Sequence, residues 1–428
     1  DGIVDLAVLR NGGNDLLRGL GDCRFENANG RWGFDGGDAS TMAFAATWEG
    51  AATLPTLAFG NYVDPGRTDP NSLCDDNVLL RPAADGRTYG PGQALSPGLC
   101  ALSLLFSDWS RTGQRDLRVS NDRHYYLDGE EQLWRIEPGQ QPVLYTRDDG
   151  WTKVNVEGMG IASYDLDGDG LPEVFLTSQG ENRLQTLAGG PSRPTYVDIA
   201  LKRNANAYRP FTGDVDLPST AWDPEFIDVN NDGRIDLFIS KGNVHSQPDY
   251  AQRDPSNLLL GAADGTFVES ADTAGILSFD RGRGAALADF NLDGLPDLVE
   301  SNLAAPLRIW RNVGAGTAEA PAALGHWLAV RLHEDGPNRD AIGSWLEVRT
   351  GETIQRREIV VGGGHAGGEL GWIHVGLGAA RKADLRVLWP DGQQGPWVHV
   401  AADQLLDVDR TAGTATAWSP TAPSEAAP

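Results

Sequence analysis

Short runs along this chain alternate apolar and polar residues, and each run ends in a turn rich in Gly, Asp or Asn. Val174-Phe-Leu-Thr177 and Leu237-Phe-Ile-Ser240 are β-branched or aromatic runs bounded by such turns. That period-2 pattern predicts strands rather than helices. The pattern returns with a step of about 60 residues, with turns starting near 48, 108, 165, 228 and 289. A second signature recurs in phase, as in Asn14-Asp-Leu-Leu-Arg18, Asn77-Val-Leu-Leu-Arg81, Glu131-Gln-Leu-Trp134, Asn182-Arg-Leu-Gln185, Asn257-Leu-Leu-Leu260 and Leu307-Arg-Ile-Trp310. Two copies run on into a hairpin, at Asp85–Tyr89 and Asp264–Phe267. Each period thus predicts one strand before the turn, one after it, and an outer pair. Four-stranded units repeated at a fixed step describe the blades of a β-propeller, so the fold class is all-β. Six units are recognisable, and seven blades are expected, the seventh assembled from Pro194–Leu201 or from residues preceding Asp1.

The turns carry the chemistry. Asp165, Asp167, Asp169 and Glu173 fall at positions 1, 3, 5 and 9 of one loop, and Leu171 at position 7 offers a backbone carbonyl. Asp228, Asn230, Asp232, Arg234 and Asp236 repeat the pattern, as do Asp289, Asn291, Asp293, Leu295 and Asp297. A weaker copy holds Asp108, Ser110, Thr112 and Asp116. Asp1–Asp5 matches the tail of another, and Trp48–Thr56 is a decayed copy without Asp. Hard oxygens alternating around a tight turn converge on one point, which suits Ca2+. An EF-hand does not fit, because position 12 is Leu176, Ile239 or Glu300 and strands follow. The competing reading is a set of metal-free Asp/Gly turns. The expectation is structural Ca2+, three to four ions.

These loops resemble FG-GAP/VCBS repeats, the calcium-loop blades of integrin-type propellers. Asn338–Ser344, Gln355–Glu358, Gly362-Gly-Gly-His365, His374–Gly378 and Val387-Leu-Trp-Pro-Asp-Gly392 resemble an ASPIC/UnbV domain. The combination is similar to the cartilage acidic protein family and its bacterial relatives. The resemblance implies a calcium-bearing propeller, commonly seven-bladed, exported from the cell, and implies no known reaction. The expected domains are a propeller over 1–325, a β-domain of about six strands over 326–412, and a disordered tail over 413–428.

Composition narrows the partners. The formal charge of −25 repels nucleic acid and anionic membranes. No apolar run is long enough to span a membrane as a helix. Cys74 and Cys100 flank a loop-rich insert and are expected to pair, leaving Cys23. A disulfide and calcium both point to a secreted, periplasmic or cell-surface monomer. That localisation is drawn from the loops and the resemblance, since no targeting segment is visible in the sequence.

If the Asp loops share one face, the strands that follow them end at the other. That places Asn61, Asn121, Asp122, Arg123, Asn243, Arg283 and Asn302 as ligand-binding candidates around a funnel mouth. His124, Tyr125, Tyr126, Lys241 and His245 are the candidates for acid–base work there. The competing reading packs them between blades. The glycine-flanked His365 is expected in a tight turn at the domain contact. Two functions remain open. One is an exported calcium-stabilised propeller that binds an extracellular glycan or protein through the funnel. The other is a lyase, hydrolase or cyclase acting on a polar substrate in the same funnel.

Overall fold

A computed structural model describes residues 2–63, 74–122, 129–207, 219–244, 254–368 and 370–420. Six antiparallel sheets follow one another along the chain. The third is representative. Its strands are Ala101–Ser107, Asp116–Asn121, Gln132–Arg135 and Val143–Leu144, paired in sequence order. The first and sixth sheets have three strands among the described residues, and the other four have four. Tyr196–Asp198, a candidate for an extra blade, is instead the outer strand of the fourth sheet, paired with Arg183–Leu187. Its short run matches the outer strand of any blade, so sequence alone could not place it.

Five inner strands stand side by side: Thr41–Thr47, Ala101–Ser107, Gly158–Tyr164, Ala221–Ile227 and Gly282–Ala288. All run in the same sense, so every Asp loop leaves at one face. Each carries a bulge just after its first residue, as between Ala221 and Pro224. Here the bulge skips Trp222 and Asp223, and Pro224, in register with Ile239, is tolerated because its strand is the edge of the sheet. Apolar clusters such as Phe175, Phe226, Leu237 and Leu259 fill the space between neighbouring sheets.

The in-phase polar signature has a local cause. Asn77 Oδ1 accepts the Asn61 N–H at 2.9 Å, and Asn182 Oδ1 accepts the Ser178 N–H at 3.0 Å. Glu131 Oε1 does the same for Asn121 at 2.8 Å, and Asn14 Oδ1 for Arg10 at 2.8 Å. Each clamps the end of the strand that follows an Asp loop, where the ladder stops and a buried N–H needs a partner.

The C-terminal domain has two four-stranded sheets, not six strands. They enclose one core that includes Leu328, Val330, Leu346, Val348, Leu385 and Val387. The expected disordered tail is corrected in part. Thr414–Trp418 is an edge strand paired with Gln404–Asp409, and Trp418 packs on Trp372 at 5.2 Å. The Thr/Ala alternation there reads as low complexity, yet it fits a strand whose last residue is an aromatic anchor. The Cys74–Cys100 disulfide forms, and Cys23 is free and exposed. Among the described residues no helix is long and apolar enough to cross a membrane.

The C-terminal domain docks on the Asp-loop face. Arg356 pairs with Asp165, Arg111 with Glu347, and Glu358 accepts from the Asp108 N–H at 2.8 Å. From this contact, residues 361–366 thread the channel between the inner strands. Val361 bridges Ala46 near the end of its strand. Gly363 N–H donates to Leu104 O at 2.7 Å, and Gly364 exchanges hydrogen bonds with Ile161. A side chain has no room here. A Cβ on Gly363 would lie 2.9 Å from Ile161 O, and its φ of +79° disfavours other residues. Gly363→Ala is therefore expected to destabilise by about 2 kcal/mol, read as a lower urea midpoint. An unchanged midpoint would show that the threaded path is not obligatory.

Candidate functional site

The three complete Asp loops share one hydrogen-bond plan. Asp228 accepts the Asp232 and Gly233 N–H groups at 3.1 and 2.7 Å, and Asp289 accepts those of Asp293 and Gly294 at 3.0 and 2.7 Å. Asp165 accepts the Gly170 N–H at 3.1 Å. The position-9 carboxylate closes each loop by accepting the N–H of position 2. The pairs are Leu166 to Glu173, Val229 to Asp236 and Phe290 to Asp297. The other oxygen of that carboxylate takes a donor from the next strand region. Thr186 Oγ1 serves Glu173, Gly261 N–H serves Asp236 and Asn312 N–H serves Asp297.

That plan leaves the carboxylates crowded. Burial, with the Asp167 and Asp165 charges, pushes Glu173 up to about 7. Burial pushes Asp228 up to about 7, and Asp236 up to about 8, with neighbouring Asp charges adding to both. Asp165, Asp289 and Asp297 are raised for the same first reason. Asp165, Asp167 and Glu173 bring one oxygen each within 4.8 Å of one another. Asp165 Oδ1 is buried and has no hydrogen-bond partner. An orphaned carboxylate oxygen at a converging oxygen set is the environment a hard cation satisfies, so these residues fit Ca2+.

The weaker loops differ in a definite way. In the Asp108 loop, Asp116 Oδ2 accepts from Trp109 Nε1 at 2.9 Å and Tyr145 Oη at 2.7 Å. Ser110 and Thr112 hydroxyls bond to each other at 2.8 Å. Side-chain donors thus stand where a cation would draw those oxygens. In the Trp48–Thr56 turn, Arg81 Nε lies 2.7 Å from Glu49, which also accepts from Thr56 at 2.8 Å. Asp5 keeps the position-9 role, accepting the Gly19 N–H at 2.9 Å.

At the opposite face the structure redistributes the funnel candidates. Arg123, His124, Tyr125, Tyr126 and His245 lie outside the described residues. Lys241 does not face a funnel. It is fully buried, 2.7 Å from the equally buried Asp254. Asn61 and Asn121 are also buried, with their side chains bonded to strand ends and turn carbonyls. The reason is common to all three: a residue ending a blade strand points into the blade seam as readily as into the channel. Asn302 bonds Pro306 O at 3.1 Å. Asn243 is buried, and its carbonyl accepts from Arg283 at 2.9 Å.

Other residues gather at this end of the inner strands. Leu102, Met159 and Trp222 form an apolar cluster with the part-buried Met42, Tyr62 and Val244. Arg283 lies over the Trp222 ring at 4.0 Å, and burial together with the nearby Arg281 charge lowers it to about 10. His365 arrives from the C-terminal domain through the channel. Its N–H donates to Asp223 at 2.9 Å and its ring meets Trp222 edge-on at 4.9 Å. His365 Nδ1 sits 3.0 Å from Met159 O. A carbonyl only accepts, so Nδ1 carries the proton and Nε2 is an acceptor. Burial lowers His365 to about 4, so the ring is neutral at pH 7. Tyr62 donates to Asp122, and Glu157 is raised by burial and then by the Asp122 charge. The sequence reading missed Met42, Leu102, Met159, Trp222 and the role of His365. The run of three glycines before His365 was the available signal, since it lets backbone pass where side chains cannot.

Comparison with known proteins follows the same division. Residues 334–415 match the ASPIC and UnbV domain, and residues 165–239 and 228–300 match the FG-GAP-like repeat. Cartilage acidic protein 1 of Homo sapiens is 43% identical over 60 residues, 14% of this chain and 9% of that protein. The Xenopus tropicalis protein is 42% identical over 83 residues, 19% of this chain and 11% of that protein. The matched stretches therefore span about a tenth of these relatives' length. Among solved structures, Trypanosoma rangeli sialidase in complex with sialic acid aligns with a TM-score of 0.41 at 10% identity, over 91% of this chain and 83% of that one. An Agrocybe aegerita lectin that recognises non-reducing terminal N-acetylglucosamine aligns with a TM-score of 0.36 at 13% identity, over 72% and 79%.

Proposed function

Because the chain belongs to the family that joins FG-GAP-like repeats to an ASPIC and UnbV domain, we infer that it is an exported, calcium-stabilised propeller. In this reading it binds a glycan or protein partner through the funnel opposite the Asp loops. One observation carries the choice of face. The C-terminal domain covers the Asp-loop face, while the opposite floor holds an apolar cluster edged by Tyr62, Asp122, Arg283 and His365. An apolar floor with a few polar groups at its edge is the common form of a ligand site. Calcium is supported by the orphaned Asp165 oxygen, and an oxidising location by the Cys74–Cys100 bond. The loops would hold Ca2+ through Asp165, Asp167, Asp169, Glu173 and their counterparts. The ion would neutralise carboxylates, several of which burial makes costly to ionise.

A panel of immobilised glycans and extracellular proteins tests the reading, with Met42→Arg and Tyr62→Ala as probes of the floor. A true ligand should lose at least about tenfold in affinity on either change with melting unaltered. A ligand that ignores both changes, or that binds the C-terminal domain, overturns it. The enzyme reading has one observation in its favour, the Tyr62–Asp122 pair beside the raised Glu157. New reducing ends or unsaturated products from the same glycan panel would establish it.

A further inference from the structure

Each complete Asp loop has an arginine on one of its carboxylates. Arg234 pairs with Asp232 from within its own loop. Arg311 reaches Asp293 at 3.3 Å from beyond the third strand of its sheet. The Asp165 loop has four carboxylates rather than three, and its arginine comes from the other domain. Arg356 Nη1 lies 3.1 Å from Asp165 Oδ2 and 2.9 Å from Gly168 O. Arg356 is aimed by Glu347 of its own domain at 3.2 Å. Asp165 Oδ2 is therefore held by Arg356 and the Gly170 N–H, while the buried Oδ1 is left for a cation.

We propose that the Asp165 loop is an interdomain calcium site. Arg356 is a positioning residue for Asp165, and calcium binding and docking of the C-terminal domain form one linked equilibrium. The proposal rests on the calcium reading of the loops. Three observations support it. The arginine holds the oxygen that the ion does not need, so the two cations cooperate at Asp165 rather than compete. One divalent ion leaves a four-carboxylate loop negative, and Arg356 offsets part of the remainder. The neighbouring loop is covered in the same manner. Gly376 passes so close to Asp228 that a Cβ there would lie 1.8 Å from Oδ2. Gly378 N–H donates to Asn231 O at 3.0 Å, and His374 Nε2 meets Asn231 Oδ1 at 2.6 Å. The domain thus packs on loop conformations that depend on their carboxylates staying together. The chain that leaves Arg356 is also the chain that threads the channel. Calcium at one face would therefore set the position of the His365 imidazole at the other, a coupling that must be reciprocal.

The test uses the whole chain, Ca2+ titration calorimetry, and hydrogen exchange over residues 359–368. In the unaltered protein, chelation should raise exchange of that segment at least about tenfold, and Ca2+ should restore it. Arg356→Gln should weaken one calcium site by about tenfold, leave the others unchanged, and loosen 359–368 even in Ca2+. Arg356→Lys should recover part of both. Equal exchange of 359–368 with and without Ca2+, in a protein that binds calcium, overturns the proposal. Unchanged or tighter calcium binding by Arg356→Gln overturns it too. If that variant does not fold, the exchange comparison on the unaltered protein decides alone. Failure of the unaltered protein to take up Ca2+ is a separate result, and it overturns the calcium reading instead.

Discussion

Chelation of the purified protein is expected to lower its melting temperature by about 9 °C, with full recovery on adding Ca2+. The size follows from linkage. Three sites, each held at about a hundredfold over its dissociation constant, contribute about 8 kcal/mol to the folded state alone. The loops supply the reason that the unfolded chain does not share this affinity. Asp165, Asp167 and Glu173 bring their oxygens within 4.8 Å only when the turn and the following strand are both formed. Differential scanning calorimetry with metal analysis checks the prediction. No shift and no bound ion would return the loops to plain turns.

The chelated protein should also carry a pH signature. Burial raises Glu173 to about 7, Asp228 to about 7 and Asp236 to about 8 in the folded, ion-free state. A carboxyl raised by folding binds its proton more tightly in the folded than in the unfolded chain. It favours folding at low pH, and that contribution is lost as pH rises through the folded value. Chelated protein should therefore melt higher at pH 6 than at pH 8. Calcium-loaded protein should show little of this slope, because the ion takes the place of the protons.

Lys241→Ala should destabilise the protein by about 3–5 kcal/mol, measured by urea unfolding. Lys241 and Asp254 are both fully buried, 2.7 Å apart. Lys241 Nζ also reaches Ala207 O at 3.3 Å, and Asp254 Oδ2 accepts from Ser219 Oγ at 2.7 Å and the Thr220 N–H at 3.0 Å. Truncating the lysine leaves a carboxylate in the blade seam with its charge uncompensated. Lys241→Met with Asp254→Asn removes both charges and keeps an acceptor for Ser219 and Thr220. It should regain more than half of the loss. If Lys241→Ala abolishes an activity while leaving the urea midpoint unchanged, the lysine belongs to a functional site and the structural assignment fails.

The two residues show where sequence reading ends. Asp165 was legible because its role is local. Spacing around one tight turn brings oxygens of Asp165, Asp167 and Glu173 within 4.8 Å of one another, so local sequence alone names them as candidate ligands. The propeller repeat was legible for the same reason, since four short strands and their turns recur in phase. The role of Lys241 was not legible. Its partner Asp254 lies beyond a long connection, and whether a strand-end side chain enters the seam or the channel depends on blade packing. Arg356 and His365 were less legible still. Their partners, Asp165 and Trp222, lie far away in sequence and come within reach only when one domain sits on the other.

The amino-acid sequence by itself determined the all-β class, the repeat, the Asp loops and the presence of a second β-domain. Each depends on periodicity or on spacing within a few residues. Tertiary structure alone decided that Tyr145, from a separate strand region, donates to Asp116 of the weaker loop. It also decided which face is covered, and that a glycine thread carries His365 through the channel. Those outcomes rest on contacts between distant segments, and no local pattern encodes the direction in which two packed domains meet.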